Sequence, residues 1–541
     1  MRTARTKEKV GPGSAPWVGQ RRRSVAALVV GCALLAGPVA SALPAYAVPQ
    51  KSGTNTPAPD EPGAVPKGLE SFYSQEVSWY PCGDSGGIQK TDEQGKFSCA
   101  TVTVPMDYNN PDGKTIQVAV KKRAADGESR GSLFINPGGP GGSGISLVEA
   151  VDKSFSKDLL AGYDVVGFDP RGVGSSTPIT CQDAKSAEEA SAEQPQEESS
   201  FENWAQGYMD EVSKLEKQCR EHSEPGLLDH VGTASVARDL DVLRAVSGEK
   251  SLNYLGFSYG TELGYTYAEL FPENAGRLVL DGAMDSTSTN HRLTVETAEG
   301  YEKALHRYVQ ACLEGKAGDN CPLTGSVEDG VQQIRDLITS ANASPLKTSD
   351  PDVKITGAQL TGAIRRYLSG GAWPQLTAAL APAIGQNDAS GFAEAVKQAS
   401  AGVSMTAWTA VMCQDRPAQG NMDAWKAQYE ETQKVAPTFA GGASFDMTCA
   451  AWGHYSKTDP IPQDVHAKGA APILVVGTAG DPATPYHWAQ ALAKQLDSAQ
   501  LLTWDGNAHV AYMRGNKCIT TAVDDFLLGG QLPQNNLTCT S

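Results

Sequence analysis

The chain has 541 residues, of which 40% are hydrophobic and 20% charged, and its 45 basic and 62 acidic side chains give a formal charge of −17. This length excludes a small disulfide-stapled scaffold and leaves room for two to four compact units of about 150 residues each. The acidic balance opposes binding to phosphate backbones and to anionic lipid, which both require a basic surface. We therefore expect neither nucleic acid nor a membrane surface as a partner.

Residues 1–47 have the features of a secretory signal peptide. A basic stretch ends in Arg21-Arg22-Arg23, an apolar run follows from Val25 to Ala36, and the small-residue site Ala45-Tyr46-Ala47 precedes Val48. The apolar run is shorter than the ~20 residues that span a bilayer. We expect cleavage after Ala47 and a secreted, extracellular protein, with the general secretory and twin-arginine routes both open.

Cysteine usage indicates the same oxidising compartment. Apart from Cys32 in the apolar run, ten cysteines remain, and joining neighbours along the chain predicts five disulfides. The predicted pairs are Cys82–Cys99, Cys181–Cys219, Cys312–Cys321, Cys413–Cys449 and Cys518–Cys539. A zinc site is the alternative, but the sequence holds no C-x-x-C pair and no H-E-x-x-H. We expect no metal and no other cofactor.

The composition changes along the chain predict its organisation. Residues 48–70, rich in Pro, Thr, Gly and Ser, predict a flexible leader or propeptide. Residues 71–289 and 466–541 alternate apolar strands with helical patterns, which is typical of an α/β fold with a mostly parallel sheet covered on both faces. Residues 290–465 have helical periodicity and predict an inserted helical cap. The acidic residues 184–200 predict a mobile surface loop.

Six strands of this sheet are predicted from continuous runs of β-branched and apolar residues. In chain order they are Ser132–Asn136, Tyr163–Phe168, Leu252–Phe257, Arg277–Asp281, Pro472–Gly477 and Leu501–Trp504.

A nucleophile elbow is predicted at Gly256-Phe257-Ser258-Tyr259-Gly260. Strand-like residues 252–255 precede this G-x-S-x-G motif and helix-like residues 261–270 follow it. In that context the motif exposes a serine hydroxyl at the carboxyl edge of a sheet, and the glycines allow the sharp turn. Ser258 is therefore the predicted nucleophile.

Such a serine needs a histidine that takes its proton and a carboxylate that orients the histidine, in the chain order Ser, acid, His. Asp481 follows the strand at 473–476 and His509 follows the strand at 501–504, so they are the predicted acid and base. His487 is the alternative base, but we expect it at the start of a helix, partly packed or facing solvent. Asp285 is the alternative acid, and we expect it to cap a turn.

The loop Asn136–Gly142 follows a predicted strand and is expected to supply an oxyanion-hole donor from Gly139 N–H, with Tyr259 N–H as the second donor. Residues 139–144 also satisfy G-x-G-x-x-G, and Asp164 lies about 20 residues further on. We reject a dinucleotide site because Asp164 opens its strand, where the ribose-binding acid should close one. Two prolines also stiffen this loop.

Together these segments resemble the secreted tripeptidyl aminopeptidases of filamentous actinobacteria, relatives of the proline iminopeptidases in the α/β-hydrolase fold. The segments that carry the resemblance are Asn-Pro-Gly-Gly-Pro-Gly at 136–141, Asp-Pro-Arg-Gly-Val-Gly at 169–174, the elbow with Thr261, Arg-Leu-Val-Leu-Asp-Gly at 277–282, Asp-Pro-Ala-Thr-Pro at 481–485, and His509. The resemblance extends from about Trp79 to the C-terminus. It implies that Ser258, Asp481 and His509 form a triad, and that Asp169 and Arg171 are structural.

The resemblance also implies a cap carboxylate that holds the ammonium group of the substrate. Ala410–Asp415 looks like the corresponding segment, which makes Asp415 the candidate, with an ordinary solvated aspartate as the alternative. Glu262, four residues after the nucleophile, is a second candidate. As a departure from the family, Thr448–Trp452 lacks the proline expected before Cys449.

The sequence therefore predicts a secreted, monomeric serine exopeptidase that releases short peptides from free N-termini through an acyl-enzyme. The choice of tripeptides rests on the resemblance. Because fold and triad do not fix the substrate, three alternatives remain: a proline iminopeptidase, a secreted esterase of the same fold, and a non-catalytic surface binding protein.

Overall fold

The computed structural model describes residues 63–92, 94–181, 200–401, 403–441, 444–457 and 459–540. The predicted signal peptide, residues 48–62 of the predicted leader and nearly all of the acidic segment 184–200 lie outside these ranges. The described end of the leader packs on the fold, because Leu69 is buried and the Gly63 N–H donates to Asn274 Oδ1 at 2.7 Å. Residues 63–70 therefore contact the α/β fold.

One sheet joins ten strands of the described chain. They are β1 (Tyr80–Pro81), β2 (Phe97–Pro105), β3 (Thr115–Arg123), β4 (Ser132–Asn136), β5 (Asp164–Phe168), β6 (Leu252–Phe257), β7 (Ala275–Asp281), β10 (Ile473–Thr478), β11 (Ala499–Asp505) and β12 (Leu537–Thr540). The remaining two, β8 (Leu346–Lys347) and β9 (Lys354–Ile355), pair only with each other.

The strand order across the sheet is β1-β2-β3-β5-β4-β6-β7-β10-β11-β12. Pairing from β1 through β3 to β5 is antiparallel, and every pair from β5 to β12 is parallel. The six predicted strands are β4 to β7, β10 and β11, so the mostly parallel sheet is confirmed. The antiparallel edge was not among the predicted strands.

Both faces of the sheet are covered, because side chains alternate along each strand. In β10, Ile473 and Val475 join one buried apolar cluster, while Leu474 and Val476 join another. The segments that cover the sheet are α1 (Glu70–Tyr73), α2 (Gly144–Ser154), α3 (Lys157–Gly162), α5 (Thr233–Val246), α6 (Tyr259–Leu270), α15 (Tyr486–Gln495) and α16 (Lys517–Gly529). The helix α4 (Phe201–His222) packs instead against the helix at Phe445–Trp452.

Between β7 and β10 the described chain is mostly helical. Its helices are α7 (Asn290–Leu313), α8 (Val327–Ala343), α9 (Gly357–Gly370), α10 (Trp373–Gln386), α11 (Ala393–Ala401), α12 (Met405–Asp415), α13 (Met422–Val435) and α14 (Phe445–Trp452). Capping boxes begin α8, at Ser326 with Asp329, and α9, at Thr356 with Gln359. A separate buried apolar cluster, from Tyr301 to Phe439, holds much of this region together.

The five predicted disulfides are all present: Cys82–Cys99, Cys181–Cys219, Cys312–Cys321, Cys413–Cys449 and Cys518–Cys539. Joining neighbours along the chain therefore gave the correct connectivity. Among the helices of the described ranges, none has the length and the apolar character needed to cross a bilayer.

Candidate active site

Ser258 lies at the turn between β6 and α6, with φ 57° and ψ −125°. A non-glycine residue at positive φ costs about 1–3 kcal/mol and persists only where its surroundings fix it. Here the Ser258 N–H donates to the Asp281 carbonyl at 2.9 Å, and the Ser258 carbonyl accepts both the N–H and the hydroxyl of Thr261, at 2.8 and 2.6 Å. The predicted elbow is thus a strained turn held by hydrogen bonds on both sides.

Gly256 shows why the motif needs small residues at this turn. A Cβ at position 256 would lie 2.3 Å from the carbonyl oxygen of Gly260, too close for any side chain. The glycine therefore allows α6 to lie close to β6, the strand before it. The serine between them projects from the carboxyl end of the sheet.

The structure brings Asp481 and His509 together at the same edge. His509 Nδ1 lies 3.0 Å from each carboxylate oxygen of Asp481. The Asp481 side chain is 1% exposed and that of His509 is 18% exposed. A buried carboxylate beside a partly open imidazole can hold the ring in one orientation and stabilise its protonated form.

The Asp481 carboxylate is also satisfied by its own loop. Oδ1 accepts the N–H groups of Ala483 and Thr484, each at 2.9 Å, and Oδ2 accepts the Val510 N–H at 3.3 Å. The Thr484 hydroxyl donates to Oδ2 at 3.1 Å and lies 3.3 Å from His509 Nδ1. Thr484 was not singled out in the sequence. Thr484 lies three residues after Asp481 at the end of a strand, and this spacing could have predicted a hydrogen bond between the two side chains.

The loop that carries His509 is fastened to β7 through Asp281. The Asp281 carboxylate accepts the N–H groups of Ala511, at 2.9 and 3.0 Å, and of Tyr512, at 2.8 Å. Complete burial raises the pKa of this carboxyl to about 6, against the opposing effect of those two N–H groups. Asp281 therefore links the end of β7 to the histidine loop, a contact that the sequence analysis did not predict.

The predicted oxyanion loop lies directly against the elbow. A Cβ on Gly138, which has φ 88°, would lie 3.0 Å from both Ser258 Cβ and the Tyr259 nitrogen. The Gly138 N–H already donates to Asn136 Oδ1 at 2.9 Å. Among the hydrogen bonds of the described residues, none uses the N–H of Gly139 or of Tyr259. These are the two donors expected from the sequence.

The two alternative triad residues have other partners. His487 has a side chain 54% exposed, and its Nε2 lies 2.8 Å from Glu296 Oε2. Asp285 is buried, accepts the N–H and hydroxyl of Thr287 at 2.9 and 2.7 Å, and pairs with Arg292 at 2.9 Å. Both therefore have the roles expected for them, a surface histidine and a turn cap.

Asp169 and Arg171 lie in buried polar contacts. Asp169 Oδ1 accepts the hydroxyl of Ser143, the N-cap of α2, at 2.5 Å. Arg171 and Asp239 form an ion pair at 2.6 Å in which both side chains are 0% exposed. The rejected dinucleotide residue, Asp164, accepts the Ala125 N–H at 2.9 Å at the start of β5.

Asp415 and Glu262 do not lie on an open surface. Asp415 is 2% exposed, and its two oxygens accept the N–H and the hydroxyl of Thr233 at 2.8 and 2.6 Å. Glu262 is 0% exposed, and its Oε2 pairs with Arg416 at 2.6 Å. Burial, together with the nearby Glu262 charge, raises the pKa of Asp415 to about 7. A solvated Asp415 is excluded, and among the described residues Glu262 Oε1 is buried with no hydrogen-bond partner.

The fold and the order of these residues define the class: this is an α/β hydrolase with a serine at its elbow. Two family models match the chain, one described as the alpha/beta hydrolase fold over residues 131–320 and one described as TAP-like protein over residues 436–539.

Three curated relatives extend the match to most of the chain. Serine protease Hip1 of Mycobacterium tuberculosis is 34% identical over 489 residues, which cover 87% of this chain and 92% of that protein. Carboxylesterase B of the same species is 34% identical over 534 residues, covering 96% of this chain and 99% of that protein. Tripeptidyl aminopeptidase of Streptomyces lividans is 32% identical over 489 residues, covering 86% of each.

The chain belongs to the tripeptidyl-aminopeptidase-like family of α/β hydrolases, and it is a serine hydrolase of that fold.

Proposed function

We propose that this protein is a secreted aminopeptidase that releases tripeptides from peptides with a free N-terminus, with Ser258, His509 and Asp481 as its triad. The observation that carries the proposal is the His509–Asp481 pair, 3.0 Å apart, at the same edge of the sheet as the strained serine. The names of two relatives, a serine protease and a tripeptidyl aminopeptidase, support peptide substrates.

The proposed reaction has two steps through an acyl-enzyme. Ser258 Oγ attacks the scissile carbonyl while His509 Nε2 takes the hydroxyl proton, and the C–N bond breaks as the same histidine gives that proton to the leaving amine. Water then attacks the ester with the histidine again as base, and the ester C–O bond breaks as the histidine gives the proton to Ser258 Oγ, which releases the tripeptide and restores the serine. Asp481 holds the imidazole with Nε2 free for this exchange.

Negative charge develops on the carbonyl oxygen in both steps, and we assign its stabilisation to the N–H groups of Gly139 and Tyr259. Preorganised donors of this kind contribute strongly because they need not reorient during the reaction. Support comes from the closeness of the loop to the elbow, since Gly138 would contact Ser258 Cβ and the Tyr259 nitrogen if it had a side chain.

Secretion is supported by the basic and apolar start of the sequence and by five disulfides, which persist in oxidising compartments. An esterase is the second candidate, because one relative of similar identity is named a carboxylesterase. A matched panel of tripeptide amides and simple esters separates the two. The proposal predicts amide cleavage that Ser258→Ala abolishes, and hydrolysis of esters alone would refute it.

A further inference from the structure

We propose that α12 positions both oxyanion-hole donors, one from each of its ends, and that Asp415 is a positioning residue acting on Tyr259 through Thr233. This inference rests on the proposed function, because it concerns the donors assigned there. It gives Asp415 a task other than holding the substrate's ammonium group.

The start of α12 lies against the oxyanion loop. The Ser404 N–H, at the N-cap of α12, donates to the Gly141 carbonyl at 3.1 Å, and Val403 forms a β-bridge with Gly142. A Cβ on Gly141 would lie 2.6 Å from the Ser404 carbonyl oxygen, so this approach requires a glycine. A Cβ on Gly139 would lie 3.3 Å from Val403 Cγ1. The loop is therefore held by α12 as well as by the elbow.

The end of α12 reaches the side chain of Tyr259, the residue whose N–H is the second donor, through Asp415 and Thr233. Asp415 Oδ2 accepts the Thr233 hydroxyl proton at 2.6 Å, and the Thr233 oxygen lies 2.5 Å from the Tyr259 hydroxyl. When Asp415 is ionised, the Thr233 hydroxyl donates its only proton to the carboxylate, so Tyr259 is the donor in the other bond. Burial raises the pKa of the Tyr259 hydroxyl well above its usual value, which keeps that donor protonated.

The same carboxylate also caps α5. The N-cap residue of α5, Gly232, has no side chain to accept a helix N–H, and Asp415 Oδ1 accepts the Thr233 N–H at 2.8 Å instead. A Cβ on Gly232 would lie 2.9 Å from that oxygen, so the glycine makes room for it. A negative group at this position is favoured by the unpaired N–H groups of a helix start.

Further bonds keep the end of α12 from moving independently of α5. Gln414 Oε1 accepts the Val231 N–H at 2.6 Å, and Gln414 Nε2 donates to the Asp229 carbonyl. The Cys413–Cys449 disulfide joins the same turn to α14. A shift at this end of α12 is therefore transmitted to Thr233 and to the first residue of α6, whose N–H is the proposed donor.

The experiment measures kcat and KM for a tripeptide chromogenic amide and its N-acetylated form with Thr233→Val, Thr233→Ser and Asp415→Asn. Loss of one oxyanion donor costs about 10²–10³ in kcat, so a displaced donor should cost less, about tenfold. We expect that loss in Thr233→Val and Asp415→Asn, with KM within about twofold. Thr233→Ser, which keeps the hydroxyl, should stay near wild type.

A matched control is Asp446→Asn, since Asp446 is also a buried aspartate of the helical region and accepts the Gln419 N–H at 2.9 Å. It should leave kcat unchanged. All rates are normalised to the active-site fraction titrated with a fluorophosphonate, and melting temperatures are recorded beside them. Lower stability with normal kcat per active site would overturn the positioning role, and Thr233→Val tests it even where Asp415→Asn fails to fold.

A direct ammonium contact by Asp415 makes the opposite prediction. Asp415→Asn would then raise KM for the free tripeptide and remove the discrimination against the acetylated one, which would also overturn the positioning role. Failure of the proposed function is recognised separately, because the wild type would then hydrolyse esters alone or Ser258→Ala would retain amide cleavage.

Discussion

The backbone carbonyl of Asp281 accepts the Ser258 N–H at 2.9 Å. Through its carboxylate the same residue accepts two N–H groups of the loop that follows His509. One residue at the end of β7 thus connects the elbow after β6 with the histidine loop after β11. The relative position of the proposed nucleophile and base is therefore supported by the sheet and by the hydrogen bonds of one buried aspartate.

Asp281 predicts a pH-dependent contribution to stability. Its pKa in the fold is about 6, above the ordinary value of 3.8, so the folded protein binds the proton more tightly than the unfolded chain. The free energy that Asp281 contributes should therefore fall as pH rises from about 4 through 6 and then stay level. In unfolding experiments, the stability of wild type minus that of Asp281→Asn should decrease over this range. A difference that is constant with pH would contradict the assignment.

Asp481→Asn should lower turnover by about 10⁴, because an asparagine favours the wrong histidine tautomer while preserving the fold. Asp285→Asn is the matched control, since Asp285 is an equally buried aspartate that pairs with Arg292. Steady-state rates on a tripeptide amide should separate the two variants clearly. Near-normal turnover in Asp481→Asn together with loss in Asp285→Asn would reverse the assignment of the acid.

The position of Ser258, Asp481 and His509 at one edge of the sheet was predictable, because each follows a predicted strand and parallel strands bring their carboxyl ends to one edge. The environment of Asp415 and Glu262 was not. Asp415 binds Thr233, which is 182 residues away in the chain, and Glu262 binds Arg416, which is 154 residues away. No local sequence pattern predicts contacts between residues so far apart. The antiparallel edge was missed because β2 mixes buried and exposed residues and lacks the continuous apolar run of the inner strands.

Removing the Cys413–Cys449 disulfide should cost about 4 kcal/mol of stability, on the chain-entropy estimate for a loop of this length. Replacing both cysteines by serine should also lower kcat, since this bond holds the end of α12. Replacing Cys312 and Cys321, which close a loop of only nine residues, is the control. It should lower the melting temperature less and leave kcat per active site unchanged. Equal changes in kcat in the two double variants would contradict the proposal that α12 positions the oxyanion donors.

His454 predicts a pH effect of its own. Its ring nitrogens lie 2.6 Å from Asp229 Oδ1 and 2.9 Å from Glu216 Oε1, and hydrogen bonding to Asp229 is the main cause that raises its pKa above 6.5. The stability that it contributes should therefore be fully present below pH 6.5 and be lost as pH rises through the higher folded value. His454→Gln should reduce the melting temperature more at pH 5.5 than at pH 8.5. The reverse order would show that the neutral ring is the stabilising form.

The most direct test of the central claim compares one tripeptide chromogenic amide with its N-acetylated form and with a single-residue prolyl amide, using wild type and Ser258→Ala. A Ser258-dependent tripeptidyl aminopeptidase should cleave the free tripeptide best, by at least about tenfold over the acetylated form, since each tenfold corresponds to about 1.4 kcal/mol of lost transition-state stabilisation. Ser258→Ala should cleave none of the three. Equal cleavage of the free and acetylated tripeptides, or preference for the prolyl amide, would contradict the account.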